Sequence, residues 1–343
     1  MRIIRDETQA PIDPLKEKVV AVVGFGNQGH AHALNLRDSG VKVLIGARSH
    51  SAGCTKAKEY GFKPLTIEDA VRQSDLIILA LPDEAQPDIY KEQIAPHIRN
   101  GSTIGFIHGF NIRYEFIKPS KELGVVMVAP KGPGHTLRML YEQGQGLPSL
   151  FAVHQESPQQ DAEAMGLAWA NGIGSARTAI VYTTFADETE TDLFGEQAVL
   201  CGGIGQLVVA AFETLTEAGY PPELAYIECC HEVKQIADLV YERGLAGMYE
   251  MISNTAEFGA YKAGPIVVDD AVRERLREIL SEIKSGEFAT AIRDDYSKGF
   301  VWFKDKQKAA KQHPIEPAGD AVRKLMPWLA ENSQINPTEP KKS

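Results

Sequence analysis

The chain has 343 residues, 43% of them hydrophobic, and a formal net charge of −10 at pH 7. A chain of this length can bury a full core and is long enough for two domains and for an enzyme. Its acidic charge and its lack of Lys/Arg clusters argue against a nucleic-acid partner and against an anionic membrane. Any phosphate that it binds must therefore be held by local features of the chain.

The N-terminal segment lacks the apolar core of a signal peptide, and no apolar run approaches the roughly 18 residues of a membrane span. We therefore expect a soluble, cytoplasmic protein. The cysteines show no CxxC spacing, which argues against a zinc site and a disulfide framework. We expect reduced packing residues at Cys54, Cys201, Cys229 and Cys230.

The first half of the chain alternates short β-branched runs with amphipathic segments. This pattern is typical of a parallel sheet covered by helices, and the spacing of the repeats predicts an α/β Rossmann-type, doubly wound parallel sheet. The predicted strands are residues 19–23, 41–45, 76–81, 103–107, 125–129 and 150–153.

A glycine motif, Gly24-Phe25-Gly26-Asn27-Gln28-Gly29, follows the first predicted strand and opens a helix. A GxGxxG pattern alone is a weak signal, but between a strand and a helix it predicts a dinucleotide site, because backbone N–H groups there can hold a pyrophosphate. The second strand ends in Arg48, Ser49 and Ser51 rather than in an acid, which favours the 2′-phosphate of NADP. The alternative is that Arg48 is an ordinary surface residue.

Ligands collect at the carboxyl ends of such strands, so the segments that follow the later strands are candidate site residues. The third strand leads into Asp83, Glu84, Ala85 and Gln86. The next two strand ends carry His108 and then Lys131 with Gly134, which predicts that a His and a Lys face one crevice. A purely structural role is the alternative for His108.

From about residue 184 the alternation gives way to long helical patterns. We place the domain boundary there, with a dinucleotide-binding domain over residues 1–183, an all-helical domain over 184–330 and a polar tail over 331–343. The predicted helices of the second domain are residues 191–215, 222–243, 269–285, 287–311 and 318–330.

Two acid pairs at i,i+4 spacing stand out in this helical half: Asp192 with Glu196, and Glu228 with Glu232. Each pair should project from one helix face. Carboxylates about 4 Å apart repel by roughly 4 kcal/mol at an effective dielectric near 20, so a cluster of four must take up protons or bind a cation such as Mg²⁺. The alternative is that the pairs lie on solvated helix faces, although the first pair abuts an apolar, Gly-rich run.

Several motifs, in this order, resemble those of the ketol-acid reductoisomerases (acetohydroxy acid isomeroreductases), in the short class I form with one helical repeat. They extend from about residue 13 to 330 and read GFGNQGHAHALNLRDSG, FIHGF, APKGPGH, TDLFGEQAVLCGG, ECCHE, SNTAEFG and HPIEPAGDAVRKLMPWL. The resemblance implies an enzyme of valine and isoleucine biosynthesis. Such an enzyme converts 2-acetolactate or 2-aceto-2-hydroxybutyrate to a dihydroxy acid by alkyl migration and reduction, with two Mg²⁺ ions and NADPH.

The resemblance also implies roles for individual residues. Asp192 and Glu196 would bind metal from one subunit of at least a homodimer, and Glu228 and Glu232 from its partner. Ser253 would bind substrate, His108 and Lys131 would be catalytic, and the cofactor would be held by Gly24, Phe25, Gly26, Asn27, Gln28, Arg48, Ser49, Ser51, Asp83, Glu84, Ala85, Gln86 and Gly134.

The sequence departs from the family pattern in the loop after the second strand. His50 stands where a Gly is frequent, and Gly53 where a Ser commonly helps to hold the 2′-phosphate. We therefore expect NADPH first, with appreciable NADH use. Two other interpretations remain open, a metal-free 3-hydroxyacid dehydrogenase and a non-catalytic NADP-binding sensor.

Overall fold

The computed structural model describes residues 2–328, in two compact units that divide between Thr191 and Asp192. The predicted polar tail, residues 331–343, lies outside the described residues, as does the end of the last predicted helix. The first unit is α/β and the second is helical, which confirms the predicted fold class.

The first unit contains an eight-stranded sheet in the order β1-β8-β7-β6-β5-β4-β2-β3. The five strands β3, β2, β4, β5 and β6 are parallel, as predicted, whereas β7 is antiparallel to β6 and β1 is antiparallel to β8, so the sheet is mixed. The strands are β1 Ile3–Ile4, β2 Val19–Val23, β3 Lys42–Gly46, β4 Leu76–Leu79, β5 Thr103–Phe106, β6 Gly124–Pro130, β7 Ser149–Gln155 and β8 Ile180–Tyr182.

Helices cover both faces of this sheet. Alternate residues of a strand point to opposite faces, and β2 shows the result, since Val22 packs in one core cluster and Val23 in another. The largest fully buried side chain is Trp169. The helices that follow strands in this unit are α1 Asn27–Asp38, α2 Ala52–Glu59, α3 Ile67–Arg72, α4 Gln86–Ile89, α5 Phe110–Arg113, α6 Gly134–Glu142 and α7 Ala162–Gly172.

The division between the units falls inside helix α8, Phe185–Gly195. The second unit continues with α9 Gly202–Glu217, α10 Pro222–Tyr226, α11 Val233–Met251, α12 Asn254–Val267, α13 Asp270–Ser285, α14 Glu287–Ser297, α15 Val301–Gln312 and α16 Ile315–Arg323. Two π-helical turns interrupt these helices, at Glu196–Leu200 and Ile227–His231.

The prediction of one helix over residues 287–311 is wrong, because two helices occupy this segment. Gly299 (φ 80°) and Phe300 (φ 59°) adopt the left-handed conformation between α14 and α15. An α-helix cannot continue through that conformation, so the chain turns at Gly299.

The expectation that no apolar run approaches the length of a membrane span also needs correction. By length and composition alone, the helical segment Phe185–Glu217 could cross a membrane, with a mean hydropathy of 1.7 and 6% of its apolar window buried. No charged residue lies between 197 and 212, and the helical backbone continues beyond Gly202 and Gly203. Such a helix is weak evidence for a membrane, since a helix of a soluble assembly passes the same test.

The second unit buries few large side chains within itself. Phe212, Ala225, Ile315 and Ala318 form a small core cluster. Among the described residues, all of the large exposed apolar side chains except Tyr60 lie in this unit.

Candidate active site

The glycine loop joins β2 to α1 as the sequence predicts. Gly24 has φ 100°, and a Cβ atom there would collide with the carbonyl oxygen of Ala80, so only glycine fits. Gly26 is the N-cap of α1 and offers no side chain to its first turn. The free N–H groups of that turn are the groups that bind phosphate oxygens in other proteins.

The segment after β6 packs directly on this glycine loop. Gln28 donates its Nε2 to the carbonyl oxygen of Gly132 over 2.9 Å. Gly134 is the first residue of α6, and a Cβ there would collide with the carbonyl oxygen of Asn27. Glycine is therefore needed at position 134 because two backbone segments approach each other closely there.

The loop after β3 contains the predicted phosphate-binding residues. Arg48 and Ser49 are exposed, and Ser51 is half-buried. Ser51 is the N-cap of α2, and its hydroxyl oxygen accepts a hydrogen bond from the backbone N–H of Cys54 over 3.2 Å. His50 has φ 64°, a left-handed conformation that costs a non-glycine residue free energy. Phe25 lies buried beside this loop, with its ring centroid 6.1 Å from that of Tyr60.

The loop after β4 includes Asp83, Glu84, Ala85 and Gln86, and it is held by two buried amides. Gln86 donates to the carbonyl oxygen of Leu81 at 2.8 Å and to Oδ1 of Asp83 at 3.1 Å. Asn111, in α5, donates to the carbonyl oxygen of Asp83 at 3.0 Å. The segments that follow the neighbouring strands β4 and β5 are therefore hydrogen-bonded to each other.

His108 and Lys131, which follow β5 and β6, meet at one buried carboxylate. Glu188 of α8 is 1% exposed, and its Oε1 accepts from Lys131 Nζ at 2.8 Å. Its Oε2 faces His108 Nδ1 at 3.0 Å and accepts from the Gly109 N–H at 3.0 Å. A Cβ at Gly109 would collide with Thr189 Oγ1, so this glycine allows α8 to approach the end of β5. The predicted His and Lys do lie together.

The two basic side chains keep Glu188 ionised. Burial alone would raise the pKa of Glu188, but hydrogen bonding to His108 and Lys131 and the charges of both outweigh it and lower the pKa to about 2. A carboxylate in this position favours the ammonium form of Lys131. It also favours a proton on Nδ1 of His108, the ring nitrogen that faces Glu188.

Glu188 is the site residue that sequence analysis missed. The run Asp187-Glu188-Thr189-Glu190 presents three acids in four positions, and local pattern does not distinguish them. Only the approach of the β5 and β6 ends to α8 selects Glu188, while Glu190 pairs with Arg113 at 2.8 Å instead. The one sequence signal is the spacing to Asp192, which places both acids on one face of α8.

Three side chains form a group that could hold a metal ion: His108, Glu188 and Asp192, with ligand atoms within 4.8 Å of one another. Asp192 lies one turn beyond Glu188 on the same helix, α8. Glu196, Glu228 and Glu232 do not belong to this group. Oxygen ligands from carboxylates suit Mg²⁺.

One member of each acid pair, Glu196 in the first and Glu228 in the second, lies in a π-helical turn rather than in regular α-helix. The Cys201 N–H donates to the carbonyl oxygen of Glu196 at 2.9 Å, and the Glu232 N–H donates to that of Ile227 at 3.2 Å. Both bonds span five residues, the π-helical spacing. Such turns are rare and frequently occur at functional sites, because they shift the direction of the side chains beside them.

Ser253 is exposed and is the N-cap of α12. Its hydroxyl oxygen accepts from the Ala256 N–H at 3.2 Å. The hydroxyl proton is available for a bond to a ligand, because this capping bond uses only an oxygen lone pair.

Comparisons with known proteins give matches over most of the chain. Two family models match: acetohydroxy acid isomeroreductase, NADPH-binding domain, over residues 14–179, and ketol-acid reductoisomerase, C-terminal domain, over residues 185–328. A solved structure of an NADH-preferring ketol-acid reductoisomerase from an uncultured archaean is 42% identical, with a TM-score of 0.91, and the match covers 95% of this chain and 99% of that chain. A semialdehyde dehydrogenase NAD-binding protein from Cupriavidus necator is 20% identical over 78% of this chain and 99% of that chain, with a TM-score of 0.59, and shares the fold alone.

Proposed function

The chain belongs to the ketol-acid reductoisomerase family, and from that premise we propose which of its residues carry out the reaction. The enzyme is a ketol-acid reductoisomerase of branched-chain amino acid biosynthesis that uses a nicotinamide cofactor. The reaction rearranges 2-acetolactate or 2-aceto-2-hydroxybutyrate by alkyl migration and then reduces the new ketone.

Metal binding is assigned to Asp192 and Glu196 of one chain and to Glu228 and Glu232 of a second chain. Support comes from the chemistry of the donors, which are all carboxylates, and from the group that Asp192 forms with Glu188 and His108. Two bound Mg²⁺ ions would polarise the carbonyl and hydroxyl oxygens of the substrate as Lewis acids. The role of the chain is to hold these carboxylates in place and to keep Glu188 ionised beside them.

His108 and Lys131 are the proposed catalytic residues, and Glu188 orients both. The ammonium of Lys131 can donate to a substrate oxygen that becomes negative, and Nε2 of His108 can exchange a proton with solvent or substrate. Ser253 is proposed to donate its hydroxyl to the substrate.

The cofactor is proposed to be NADPH first, with appreciable NADH use. Gly24, Gly26 and Gly134 support the dinucleotide site because the backbone is open at Gly26 and no side chain fits at the other two positions. Arg48 supports a 2′-phosphate contact because it is exposed at the end of β3. The NADH preference of the archaeal relative is the reason to test this point directly.

Arg48→Asp should raise KM for NADPH by at least about tenfold and change KM for NADH by less than about threefold, because a charge-assisted bond to phosphate contributes roughly 1.5–3 kcal/mol. Steady-state kinetics with each cofactor measure this. The matched control is Lys58→Asp, the same charge change on an exposed residue of α2. A wild type that strongly prefers NADH, or equal losses with both cofactors, would contradict the role of Arg48.

The assembly is proposed to be at least a homodimer in the cytoplasm, with residues 184–330 as the metal, substrate and dimerisation domain. The large apolar side chains that the second unit leaves exposed support this proposal. The same exposure accounts for the apolar segment Phe185–Glu217 without a membrane.

One assay separates the proposed function from its rivals. Oxidation of NADPH is followed with 2-acetolactate as substrate, with Mg²⁺ and then with excess chelator. We expect turnover with Mg²⁺ and none with chelator. A metal-free 3-hydroxyacid dehydrogenase would be indifferent to the chelator, and a non-catalytic sensor would bind NADPH without turnover in either condition.

A further inference from the structure

Asn111 has a fully buried polar side chain to which no role in metal binding, catalysis or cofactor contact is assigned. It lies in α5, three residues after His108, and is 0% exposed. Its Nδ2 makes two hydrogen bonds, to the carbonyl oxygen of Asp83 at 3.0 Å and to Oε1 of Gln86 at 3.1 Å. Both acceptors belong to the loop after β4, whereas Asn111 itself follows β5.

The two hydrogen bonds require an amide at this position. Both partners are carbonyl-type oxygens, and an Asn side chain presents two N–H donors from one nitrogen. A carboxylate at this position would place its acceptor oxygens against the two acceptor oxygens of the loop. An apolar side chain would leave two buried acceptors without donors, which costs free energy. Oδ1 of Asn111 has no hydrogen-bond partner among the described residues, so the position carries an unsatisfied oxygen in order to keep the two donors.

Gln86 extends the connection through the loop. Its Nε2 donates to the Leu81 carbonyl oxygen and to Asp83 Oδ1, while its Oε1 accepts from Asn111. Gln86 is itself 4% exposed. The path of the backbone from Leu81 to Gln86 is therefore fixed by one amide inside the loop and one amide outside it.

We propose that Asn111 is a positioning residue for the cofactor: it holds the Asp83–Gln86 loop in the conformation that binds the nicotinamide dinucleotide. This inference rests on the proposed function, which assigns that loop to the cofactor. Asn111 does not touch the cofactor in this account and acts only through Asp83 and Gln86. Because Asn111 and His108 lie on the same short segment after β5, the same contact sets the cofactor loop against the catalytic histidine.

The test is the affinity of the full-length protein for NADPH without Mg²⁺ or substrate, followed by nucleotide fluorescence, together with the thermal unfolding midpoint. Asn111→Leu removes both donors at similar size and should weaken NADPH binding by about tenfold or more, since two buried acceptors lose their partners. Asn111→Ser, a milder change, should weaken binding by a smaller factor and serves if Asn111→Leu does not fold. The Mg²⁺ concentration for half-maximal turnover should not change.

The matched control is Asn171→Ala. Asn171 also donates through its Nδ2 to a backbone carbonyl oxygen, that of Ala10, at 2.8 Å. This bond lies in the same unit but outside the loops assigned to the cofactor. The variant should lower the unfolding midpoint and leave NADPH affinity unchanged. If the Asn111 variants lower the midpoint but bind NADPH within about twofold of wild type, Asn111 is only a stabilising residue and the inference is wrong. If the wild type itself does not bind NADPH or NADH, the proposed function fails first.

Discussion

The two units of the chain differ in how far they bury their apolar residues. In the first unit the sheet is covered on both faces, and strands such as β4 and β6 are buried along their whole length. In the second unit Tyr241 is 92% exposed, Trp302 64% and Phe258 67%. The first unit therefore has a core complete within one chain, whereas the second presents the apolar surface of an incomplete one.

The magnitude of this exposure favours a partner surface. Burial of one large apolar side chain is worth about 1.5–3 kcal/mol, and monomeric proteins rarely expose wide apolar patches. The second unit exposes residues such as Leu207, Leu245 and Ile266 as well. A second copy of the chain is the partner that the family resemblance implies, and it would also supply Glu228 and Glu232.

The largest effect should come from charges placed on this apolar surface. Leu207→Asp with Tyr241→Asp costs a lone chain little, because the two side chains are 55% and 92% exposed. At a subunit interface the buried charges would each cost several kcal/mol. We expect sedimentation to change from dimer to monomer and turnover to fall by about 100-fold or more, because the metal site loses half its ligands.

The control for this pair is Gln73→Asp with Asn100→Asp, which adds the same charge to exposed positions of the first unit. These changes should leave sedimentation and turnover near wild type. Retention of the dimer by the Leu207 and Tyr241 variant would show that the exposed surface of these helices is not the interface.

A smaller effect is expected inside the first unit, at His32. Burial, with a minor contribution from the charge of His30, lowers the pKa of His32 from 6.5 to about 3. Trp169 donates its Nε1 to His32 Nδ1 at 3.0 Å, which also requires the neutral ring. The unfolded chain binds a proton at pH 5 that the folded chain does not, so His32 destabilises the fold as pH decreases from 6.5 toward 3, by about 2 kcal/mol at pH 5 relative to pH 7.5.

Denaturant unfolding at pH 7.5 and pH 5 measures this effect. His32→Gln keeps an acceptor for Trp169 and does not titrate, so its free energy of unfolding should decrease less than that of wild type between the two pH values. The control His154→Gln, at an exposed histidine, should follow the wild type. Because the core of the first unit is complete in one chain, the difference between wild type and His32→Gln should not depend on protein concentration. A dependence on concentration would show that this core is not complete in one chain.

The smallest effect is expected at Glu115, a non-glycine residue with φ 56°. The left-handed conformation costs a residue with a Cβ atom about 1–2 kcal/mol, and the exposed ion pair with Lys118 offsets little of that cost. Glu115→Gly should raise the free energy of unfolding slightly, by no more than about 1 kcal/mol after the entropy cost of glycine. Glu115→Ala keeps the strain and should give no increase, so equal gains from both would rule out strain as the cause.

The parts of the fold that sequence predicts well are those with a strong local pattern. Val19–Val23 has four β-branched residues in five, all but the first of its five positions are buried, and it is predicted to the residue. The strands β1 and β8, with two and three residues, are too short for a pattern and were missed; their pairing with each other and that of β8 with β7 define them. The left-handed residues at Gly299 and Phe300 were missed because the apolar periodicity continues across them.

The residues of the candidate site likewise divide into those that the sequence predicts and those that only tertiary contacts select. The glycine loop, His108 and Lys131 were predicted because strand order alone brings the strand ends together. The contacts of Glu188 and Asn111 were not, because they depend on which side chain of several similar ones reaches a neighbouring loop. The π-helical turns at the acid pairs were missed because a shift from α- to π-helical hydrogen bonding leaves no local sequence signal.

The most direct test of the central claim, that one active site is completed by two chains, is complementation between two inactive variants. One chain carries Asp192→Asn with Glu196→Gln, and the other carries Glu228→Gln with Glu232→Gln. Each alone should bind NADPH and turn over no substrate. Co-expressed in equal amounts and purified through one tag that both chains carry, they should regain about one quarter of wild-type activity, because half of randomly formed dimers are mixed and each mixed dimer has one intact site. If mixing restores nothing while the mixed dimers form, the four carboxylates do not meet across a subunit interface, and the account is wrong.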